Sequence, residues 1–425
     1  MFSNVFKILE ERGFIEQISD DSLSTLFEKE QVTCYVGFDP SGKSLHVGHL
    51  LPIMALSHVQ HCGHISIGLL GGGTGMIGDP SGKSEERVLL SEEDLERNAE
   101  GVKAQLYSLL KPEKADAGKV MIINNADWLA KYSLIEFLRD IGKHFRIGDM
   151  LAKESVKRRM EGEGISFTEF SYMLLQSADF LHLLQDHNCT VQFGGSDQWG
   201  NITAGIDLIR RITGKQAYGG TFPLITTASG QKLGKTEKGA IFLDPEMTSP
   251  YEFYQYWINT DDKDVIKYLK WFTFLPLSEI DELAKATAKE PEARKAQRVL
   301  AYEVTSFIHG VEKANIAVKT SEILFGKEIS DVSDEMLEEI FKDVPSTEIS
   351  KDALETGLLL IDAMVQCGIS KGRSAAKRLI DGGGVYINNM KVIDSEYKIT
   401  KESLASSHIS VLRTGKRNYH LMRFE

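Results

Sequence analysis

The chain has 425 residues, of which 42% are hydrophobic and 26% are charged. That balance is typical of a folded globular protein, and at about 150 residues per domain the length fits two to three domains. This composition excludes disorder and collagen-like repeats. A membrane channel is excluded because no apolar run approaches the roughly 18 residues of a spanning helix. Four scattered cysteines argue against a disulfide framework, and the N-terminus lacks the apolar run of a signal peptide. We therefore expect a cytoplasmic protein.

The net charge of -12 is unevenly distributed along the chain. Residues 351–425 hold 12 basic and 8 acidic side chains, a net of +4, which leaves -16 for residues 1–350. A basic tail on an acidic body indicates that the two parts meet different partners.

Up to about residue 225, short β-branched or aromatic runs alternate with longer helical stretches. The runs that predict strands and then break into polar or Gly-rich turns are TCYVGF, HISIGLL, KVMIINNADWL and CTVQFGGSDQWG. Such alternation predicts a Rossmann-like α/β domain built on a parallel sheet, here over residues 1–246. Ligands of these sheets bind at the carboxyl ends of the strands, where the polar turns lie.

After residue 246 the strand signals stop. We predict an all-helical domain over 247–325 and a linker over 326–352, in which residues 326–350 hold eight acidic and two basic side chains. A small α/β module follows over 353–425.

Three patterns suggest other chemistry. Residues 37–44 match the phosphate-binding P-loop, but its helix should begin at Lys43-Ser44, and LHVGH intervenes. Residues 73–78 match the dinucleotide fingerprint, yet Asp79-Pro80 follows where a long helix should run. Five histidines crowd residues 46–64, although they are spaced too widely along one helix to enclose a metal ion.

Two motifs about 180 residues apart both suit a polyphosphate. His46 and His49 stand at the start of a predicted helix, whose free N–H groups attract anions, and Gly48 lets a planar group approach the backbone. Lys232, Lys235 and Thr236 lie in a Gly-bounded loop that we expect to be mobile.

The pair of motifs resembles the HIGH and KMSKS signatures of class I aminoacyl-tRNA synthetases. The resemblance is closest to the bacterial tyrosyl-tRNA synthetases and extends over essentially the whole chain, through blocks such as YVGFDPSGKSLHVGHL, SFTEFSYMLLQSADF and GGSDQWGNI. It implies that L-tyrosine and ATP give tyrosyl-adenylate and pyrophosphate, and that tyrosine then passes to the 3′ end of its tRNA. It also implies a homodimer, and Mg²⁺ with ATP, although the sequence shows no dedicated metal site.

In SYMLLQSADF, Tyr172, Gln176 and Asp179 are spaced to share one helix face, which predicts a polar stripe with buried partners. The resemblance assigns the remaining roles. Tyr35 and Asp179 bind the substrate's phenol hydroxyl; Tyr172, Gln176 and Asp79 bind its ammonium, with support from Asn124 and Gln198. His46 and His49 bind the phosphates; Lys232, Lys235 and Thr236 close over pyrophosphate; Asp39, Gly48 and Asp197 position the nucleotide.

Near the C-terminus, Lys371, Arg373, Lys377 and Arg378 are predicted to lie on or beside a short helix that precedes a strand. This segment resembles the ribosomal S-four-type RNA-binding domain, which implies contact with tRNA mainly through its phosphates.

Three alternatives remain open at this stage. A tryptophanyl-type synthetase shares both signatures, but Tyr35 and Asp179 suit a phenol better than an indole. A P-loop ATPase or kinase with an RNA-binding tail would use Lys43. A non-catalytic RNA-binding protein on a synthetase body is disfavoured by the intact His46, His49 and Lys235.

Overall fold

A computed structural model describes residues 2–81, 90–110, 118–162, 164–228, 230–236, 239–330, 332–342, 344–415 and 418–425. The chain divides into two compact units, Met1–Gly310 and Val311–Glu425. Among the described residues, no helix is long and apolar enough to cross a membrane.

The helices of the first unit are α1 (Val5–Glu11), α2 (Leu23–Lys29), α3 (Leu50–His61), α4 (Glu92–Leu110), α5 (Ala126–Leu129), α6 (Leu134–Asp140), α7 (Ile147–Leu151), α8 (Glu154–Met160), α9 (Phe167–His187), α10 (Trp199–Thr213), α11 (Pro250–Ile258), α12 (Asp262–Phe272), α13 (Leu277–Lys289) and α14 (Lys295–His309). Its strands are β1 (Gln17–Ile18), β2 (Thr33–Phe38), β3 (Ile65–Leu70), β4 (Val120–Asn124), β5 (Cys189–Gly195), β6 (Tyr218–Phe222), β7 (Lys235–Thr236) and β8 (Gly239–Ala240).

The central sheet has the strand order β1-β6-β5-β2-β3-β4, parallel throughout except for β1. Its strands are nearly continuous apolar runs, as expected where helices cover both faces of a parallel sheet. The chain runs from β2 through β3 to β4 and then returns to place β5 on the other side of β2. The direction of winding therefore reverses between β2 and β5, which is where such sheets open a ligand crevice.

Helix α9 crosses this unit with well-defined ends. The Ser166 hydroxyl accepts a hydrogen bond from the amide of Glu169 at its start, and Asn188 ends it in the left-handed conformation, with φ of 50°. Fixed ends matter here because α9 carries Tyr172, Gln176 and Asp179.

Helices α11–α14 form an all-helical layer within the same unit. Its interior is aromatic: Phe253, Trp257 and Phe272 are fully or almost fully buried. A capping box between Ser249 and Glu252 begins α11 just after the loop that carries the second signature.

The second unit contains helices α15 (Val311–Leu324), α16 (Asp334–Ile340), α17 (Asp352–Thr356), α18 (Leu360–Gln366) and α19 (Arg373–Asp381). Its strands are β9 (Ser346–Ile349), β10 (Leu358–Leu359), β11 (Val385–Ile387), β12 (Met390–Val392), β13 (Lys398–Ile399), β14 (Ile409–Thr414) and β15 (Asn418–Phe424). Five strands form a sheet in the order β12-β11-β14-β15-β9, in which only β9 is parallel to its neighbour.

The predicted linker over 326–352 is wrong. Helix α16 and strand β9 lie inside it, and β9 pairs with β15, with Ser346 opposite Leu421. Leu337 and Phe341 are buried four residues apart, the spacing of an amphipathic helix, which the count of acidic residues concealed. The structure also groups residues 311–325 with the C-terminal unit, so the helical layer of the first unit ends at α14.

Candidate active site

A cavity of about 530 Å³ opens where the winding of the sheet reverses. It is lined by residues of β2 and β5, the turns after both strands, α9 and the second-signature loop. The predicted site residues that line it are Tyr35, Asp39, His46, Gly48, His49, Asp79, Tyr172, Gln176, Asp179, Asp197, Gln198 and Lys232.

At one end of the cavity the Tyr35 hydroxyl and the Asp179 carboxylate interact electrostatically. Both side chains are about 99% buried, and the Tyr35 hydroxyl has no hydrogen-bond partner among the described residues. A buried hydroxyl without a partner is costly, so a ligand group that hydrogen-bonds to it is favoured.

Two neighbours orient the Asp179 carboxylate. Trp128 Nε1 donates to Oδ1 at 2.8 Å, and Asn125 Nδ2 donates to Oδ2, also at 2.8 Å. Burial nevertheless raises the pKa of Asp179 to about 8. The cavity is lined by Asn125 and not by Asn124, whose carboxamide lies against Gly72 and accepts from the amide of Ala126.

A hydrogen-bonded chain connects this end of the cavity to Asp39. Asn125 Nδ2 also donates to Thr74 Oγ1 at 3.0 Å, and Thr74 donates to Asp39 Oδ1 at 2.9 Å. The Tyr172 hydroxyl donates to Asp39 Oδ2 at 2.9 Å. Asp39 therefore fixes the positions of the Tyr172 and Thr74 side chains.

A second polar group lies around Asp79. Gln198 Nε2 donates to Asp79 Oδ2, while Gln176 Oε1 accepts from Asn201 Nδ2 at 3.0 Å. Nearby, burial raises the pKa of Asp197, and the negative charge of Asp79 raises it further. Carboxylate and carboxamide oxygens thus converge at a point that suits a cation.

The two histidines of the first signature are held in one tautomer. Nδ1 of His46 accepts from the amide of Gly48 at 3.0 Å, and Nδ1 of His49 accepts from the amide of His46 at 3.1 Å. Burial lowers the pKa of His49 to about 3, so its ring is neutral at neutral pH. The proton of each neutral ring must then lie on Nε2, which makes that atom a hydrogen-bond donor.

The two signatures meet at Gly234. A Cβ built on this glycine would lie 3.2 Å from Cβ of Val47, and its φ of +81° is unfavourable for other residues. Its carbonyl accepts from the amide of Ile241 at 2.9 Å. Lys232 lines the cavity, whereas the side chains of Lys235 and Thr236 lie outside the described part of the structure.

The three alternative patterns have structural explanations. Gln105 binds both the Ser44 hydroxyl and the amide of Leu45, and α3 begins only at Leu50, so residues 37–44 do not form a phosphate loop. Residues 73–78 contain a short 3₁₀ helix, where the fingerprint requires a long α-helix.

The histidines after residue 50 have structural contacts. His58 and His61 pack on the ring of Phe274, and His64 hydrogen-bonds to backbone atoms of Ser3 and Val32. Within the described ranges, no three His, Cys, Asp or Glu side chains are placed to hold a metal ion.

In the second unit, the predicted RNA-binding side chains are exposed on α19 or just before it. Nε of Arg373 lies 3.2 Å from Asp362 Oδ1, and Arg378 Nε donates to the carbonyl of Ser374. Lys371 and Lys377 form no ion pair with any described residue.

Five residues of the site were not predicted from the sequence: Thr74, Asn125, Trp128, Gln192 and Asn201. Asn125 directly follows the apolar run of β4 at the carboxyl edge of the sheet, a position that does signal ligand contact. Gln192 is inside β5, where a polar residue in an apolar strand was the available signal; it pairs in register with Tyr35.

Comparison with known proteins matches residues 28–326 to the family of class I tRNA synthetases for W and Y, and residues 336–422 to a tyrosine–tRNA ligase C-terminal domain. The tyrosine–tRNA ligase of Roseiflexus castenholzii is 52% identical over 414 residues, which cover 97% of each chain. That of Staphylococcus carnosus is 47% identical over the full length of both.

Solved structures support the same family assignment. A C-terminally truncated mitochondrial tyrosyl-tRNA synthetase from Aspergillus nidulans superposes with a TM-score of 0.70 at 36% identity, covering 76% of this chain and 94% of that one. A tryptophanyl-tRNA synthetase from Encephalitozoon cuniculi reaches 0.54 at 14% identity, covering 72% and 86%, and shares the fold alone. The chain belongs to the class I tRNA synthetases of the W and Y family and, within it, to the tyrosine–tRNA ligases.

Proposed function

We propose that this cavity binds L-tyrosine and ATP, forms tyrosyl-adenylate and pyrophosphate, and then transfers tyrosine to the 3′ end of its tRNA. The observation that carries this proposal is the Tyr35 hydroxyl beside Asp179, which has no hydrogen-bond partner in the described part of the chain and lies in the same cavity as the two histidines and Lys232.

The phenol hydroxyl of tyrosine donates to Asp179 and accepts from Tyr35. Phenylalanine would leave the Tyr35 hydroxyl unpaired and Asp179 without its third donor in a desolvated site, and tyrosyl-tRNA synthetases are the known example of the strong discrimination that results. An indole has a donor but no acceptor, so it would leave the Tyr35 hydroxyl unsatisfied.

The ammonium group of tyrosine binds among Asp79, the Tyr172 oxygen and Gln176 Oε1. Gln198 supports it by orienting Asp79, and Asn201 supports it by orienting Gln176. Asn124 does not line the cavity and supports the site indirectly, through its contact with the Gly72 backbone.

The tyrosine carboxylate attacks the α-phosphate, so no side chain has to serve as nucleophile or general base. His46 and His49 donate from Nε2 to the phosphates, with Lys232, Lys235 and Thr236 acting on the leaving pyrophosphate. Asp39, Gly48 and Asp197 position the nucleotide. Catalysis is then positioning combined with electrostatic stabilisation of the charge that develops in the transition state.

Mg²⁺ enters with ATP as part of the substrate in this proposal. Its ligands are phosphate oxygens and water, in keeping with the cation's reluctance to give up its hydration shell. Asp39 and Asp197, which line the cavity, would accept hydrogen bonds from that water.

Tyrosine-specific tRNA is the macromolecular partner, bound in part through Lys371, Arg373, Lys377 and Arg378. Phosphate contacts of this kind depend on exposed cations, and all four side chains are exposed. The reaction takes place where tRNA and ATP are consumed in protein synthesis, which we propose to be the cytoplasm.

A second copy of the chain is the other partner. The first unit exposes large apolar side chains on α6–α9 and the turns between them, and the most exposed are Leu134, Ile135, Ile147, Met160 and Phe167, at 55–75%. We call this set the apolar face. Several exposed large apolar side chains on one run of helices are typical of an interaction site, and we assign them to a homodimer.

The first test is ATP–pyrophosphate exchange, measured with each of the twenty amino acids. We expect exchange with tyrosine and none with phenylalanine or tryptophan. Exchange with tryptophan alone would favour the other branch of the family, and ATP hydrolysis that ignores amino acids would contradict the proposed reaction.

A further inference from the structure

We propose that Tyr256, Asp264 and Lys267 are positioning residues that hold the described part of the second-signature loop, residues 226–228 and 230–236, over the cavity for adenylate formation. We call these three side chains the loop latch. The inference rests on the proposed function, since it concerns the step that the loop's lysines serve.

Tyr256 of α11 contacts the loop at its most constrained point. Its hydroxyl accepts a hydrogen bond from the amide of Gly234 at 2.9 Å. The other side of Gly234 lies against Val47 of the first signature, and its carbonyl is bound by Ile241. Gly234 is thus held between the helical layer and the first signature.

Asp264 and Lys267 of α12 hold the beginning of the loop. Asp264 Oδ2 accepts from the amide of Ala228 at 2.7 Å, and Lys267 Nζ donates to the carbonyl of Thr226 at 3.2 Å. The two side chains also pair with each other at 3.0 Å, with the Asp264 side chain only 5% exposed. Charge-assisted hydrogen bonds around a buried carboxylate fix geometry more firmly than neutral ones do.

Helix α12, which carries Asp264 and Lys267, is itself fixed to the N-terminal segment. The Arg12 guanidinium donates to the carbonyls of Lys270, Thr273 and Leu275 at 3.0, 3.0 and 2.6 Å, and so binds the C-terminal end of α12. Trp271 Nε1 donates to the carbonyl of Gly13 at 2.9 Å. Helix α12 therefore links the N-terminal segment to the loop as a rigid support.

Lys232 lies between the two latched points and lines the cavity. Where catalysis depends on positioning, a displacement of about 1 Å can slow the chemical step strongly while substrate binding elsewhere is unchanged. None of the latch residues lines the cavity, so the latch acts through the loop and does not contact substrate.

The test compares Tyr256→Phe with wild type in the full-length protein. We expect the rate constant of adenylate formation to fall about 3- to 10-fold, the effect of one lost hydrogen bond. The dissociation constant for tyrosine, measured by equilibrium dialysis, should not change. Tyr107→Phe, on the exposed surface of α4, is the matched control and should leave both quantities unchanged.

A second pair of variants tests the other end of the loop. Lys267→Met should slow adenylate formation, and Lys267→Arg, which keeps the charge and a donor, should restore most of the rate. Unchanged rates in both Tyr256→Phe and Lys267→Met, or an equal loss of tyrosine affinity, would overturn the latch. Lack of tyrosine-dependent exchange in the wild type would instead overturn the proposed function.

Discussion

At the scale of single residues, Asp179 shows how a binding site can depend on an energetically unfavourable group. Its carboxylate is buried and, among the residues that the structure describes, receives only the neutral donors of Asn125 and Trp128. Two neutral hydrogen bonds do not offset the loss of water, so the pKa rises to about 8. Ionisation of Asp179 therefore destabilises the free protein, and the phenol hydroxyl of a bound tyrosine supplies a third donor.

This raised pKa predicts the pH dependence of stability. The folded protein retains the Asp179 proton at pH values where the unfolded chain, with a pKa of about 3.9, has lost it. The contribution of Asp179 to the free energy of unfolding therefore falls as the pH rises from about 4 to about 8. The Asp179→Asn variant has no ionisable side chain at this position. The urea midpoint of the variant, minus that of wild type, should therefore increase as the pH is raised from about 5 to about 9.

Asp20→Asn is the control for this experiment. Hydrogen bonds from Ser22 lower the pKa of the exposed Asp20, so its contribution is present above the unfolded pKa and is lost only as the pH falls below that range. Its difference from wild type should stay constant between about pH 5 and about pH 9. A constant difference for Asp179→Asn as well would mean that Asp179 is ionised throughout.

At the scale of elements, the sequence predicted what depends on short-range pattern. The apolar runs of β2, β3 and β5 and the polar stripe of α9 are local signals, and the parallel sheet and the cavity-lining face of α9 follow them. Trp128 could not be recognised in the same way. Its contribution to the site is the hydrogen bond to Asp179, 51 residues away, which no periodicity encodes.

The predicted linker failed for a related reason. Strand β9 is stabilised by its pairing with β15, about 75 residues later, and an edge strand of four residues leaves little signal of its own. At Gly234 the structure shows a left-handed backbone pressed against Val47, which requires glycine at this position.

The exposed basic side chains of α19 lead to a prediction about tRNA binding by the second unit. Lys377 is exposed and forms no ion pair with the described residues, whereas the charge of Arg373 is partly offset by Asp362. Lys377→Gln should weaken tRNA binding and reduce the slope of log affinity against log salt by about 1, the effect of one lost phosphate contact. Filter binding across a salt series measures this slope.

Two comparisons make that result specific. Lys342→Gln removes an exposed charge from the same unit away from α19, and should leave the slope unchanged. Tyrosine-dependent exchange should be normal in both variants, because it needs no tRNA. A normal slope in Lys377→Gln would remove α19 from the RNA-binding surface.

At the scale of the whole molecule, the charge and the apolar surface point to different partners. Residues 1–350 carry a net charge of -16 and the last 75 residues carry +4, so the total of -12 does not describe the surface that tRNA meets. The apolar face lies on the body. On their inner side, its helices α7 and α8 bury Met150 and Val156 against Met173 and Leu174 of α9. The face is thus held rigidly by the helix that lines the cavity.

Rigid, exposed apolar side chains predict association of two copies. Ile135 is 72% exposed, and a carboxylate there would have to be desolvated on dimerisation, at a cost of several kcal/mol at the centre of an interface. Sedimentation velocity should therefore give the mass of two chains for wild type and of one chain for Ile135→Asp. Met390→Asp, at a site 54% exposed in the C-terminal unit, should remain dimeric. A dimeric Ile135→Asp protein would place the interface elsewhere, because an unpaired carboxylate could not remain buried between two apolar faces.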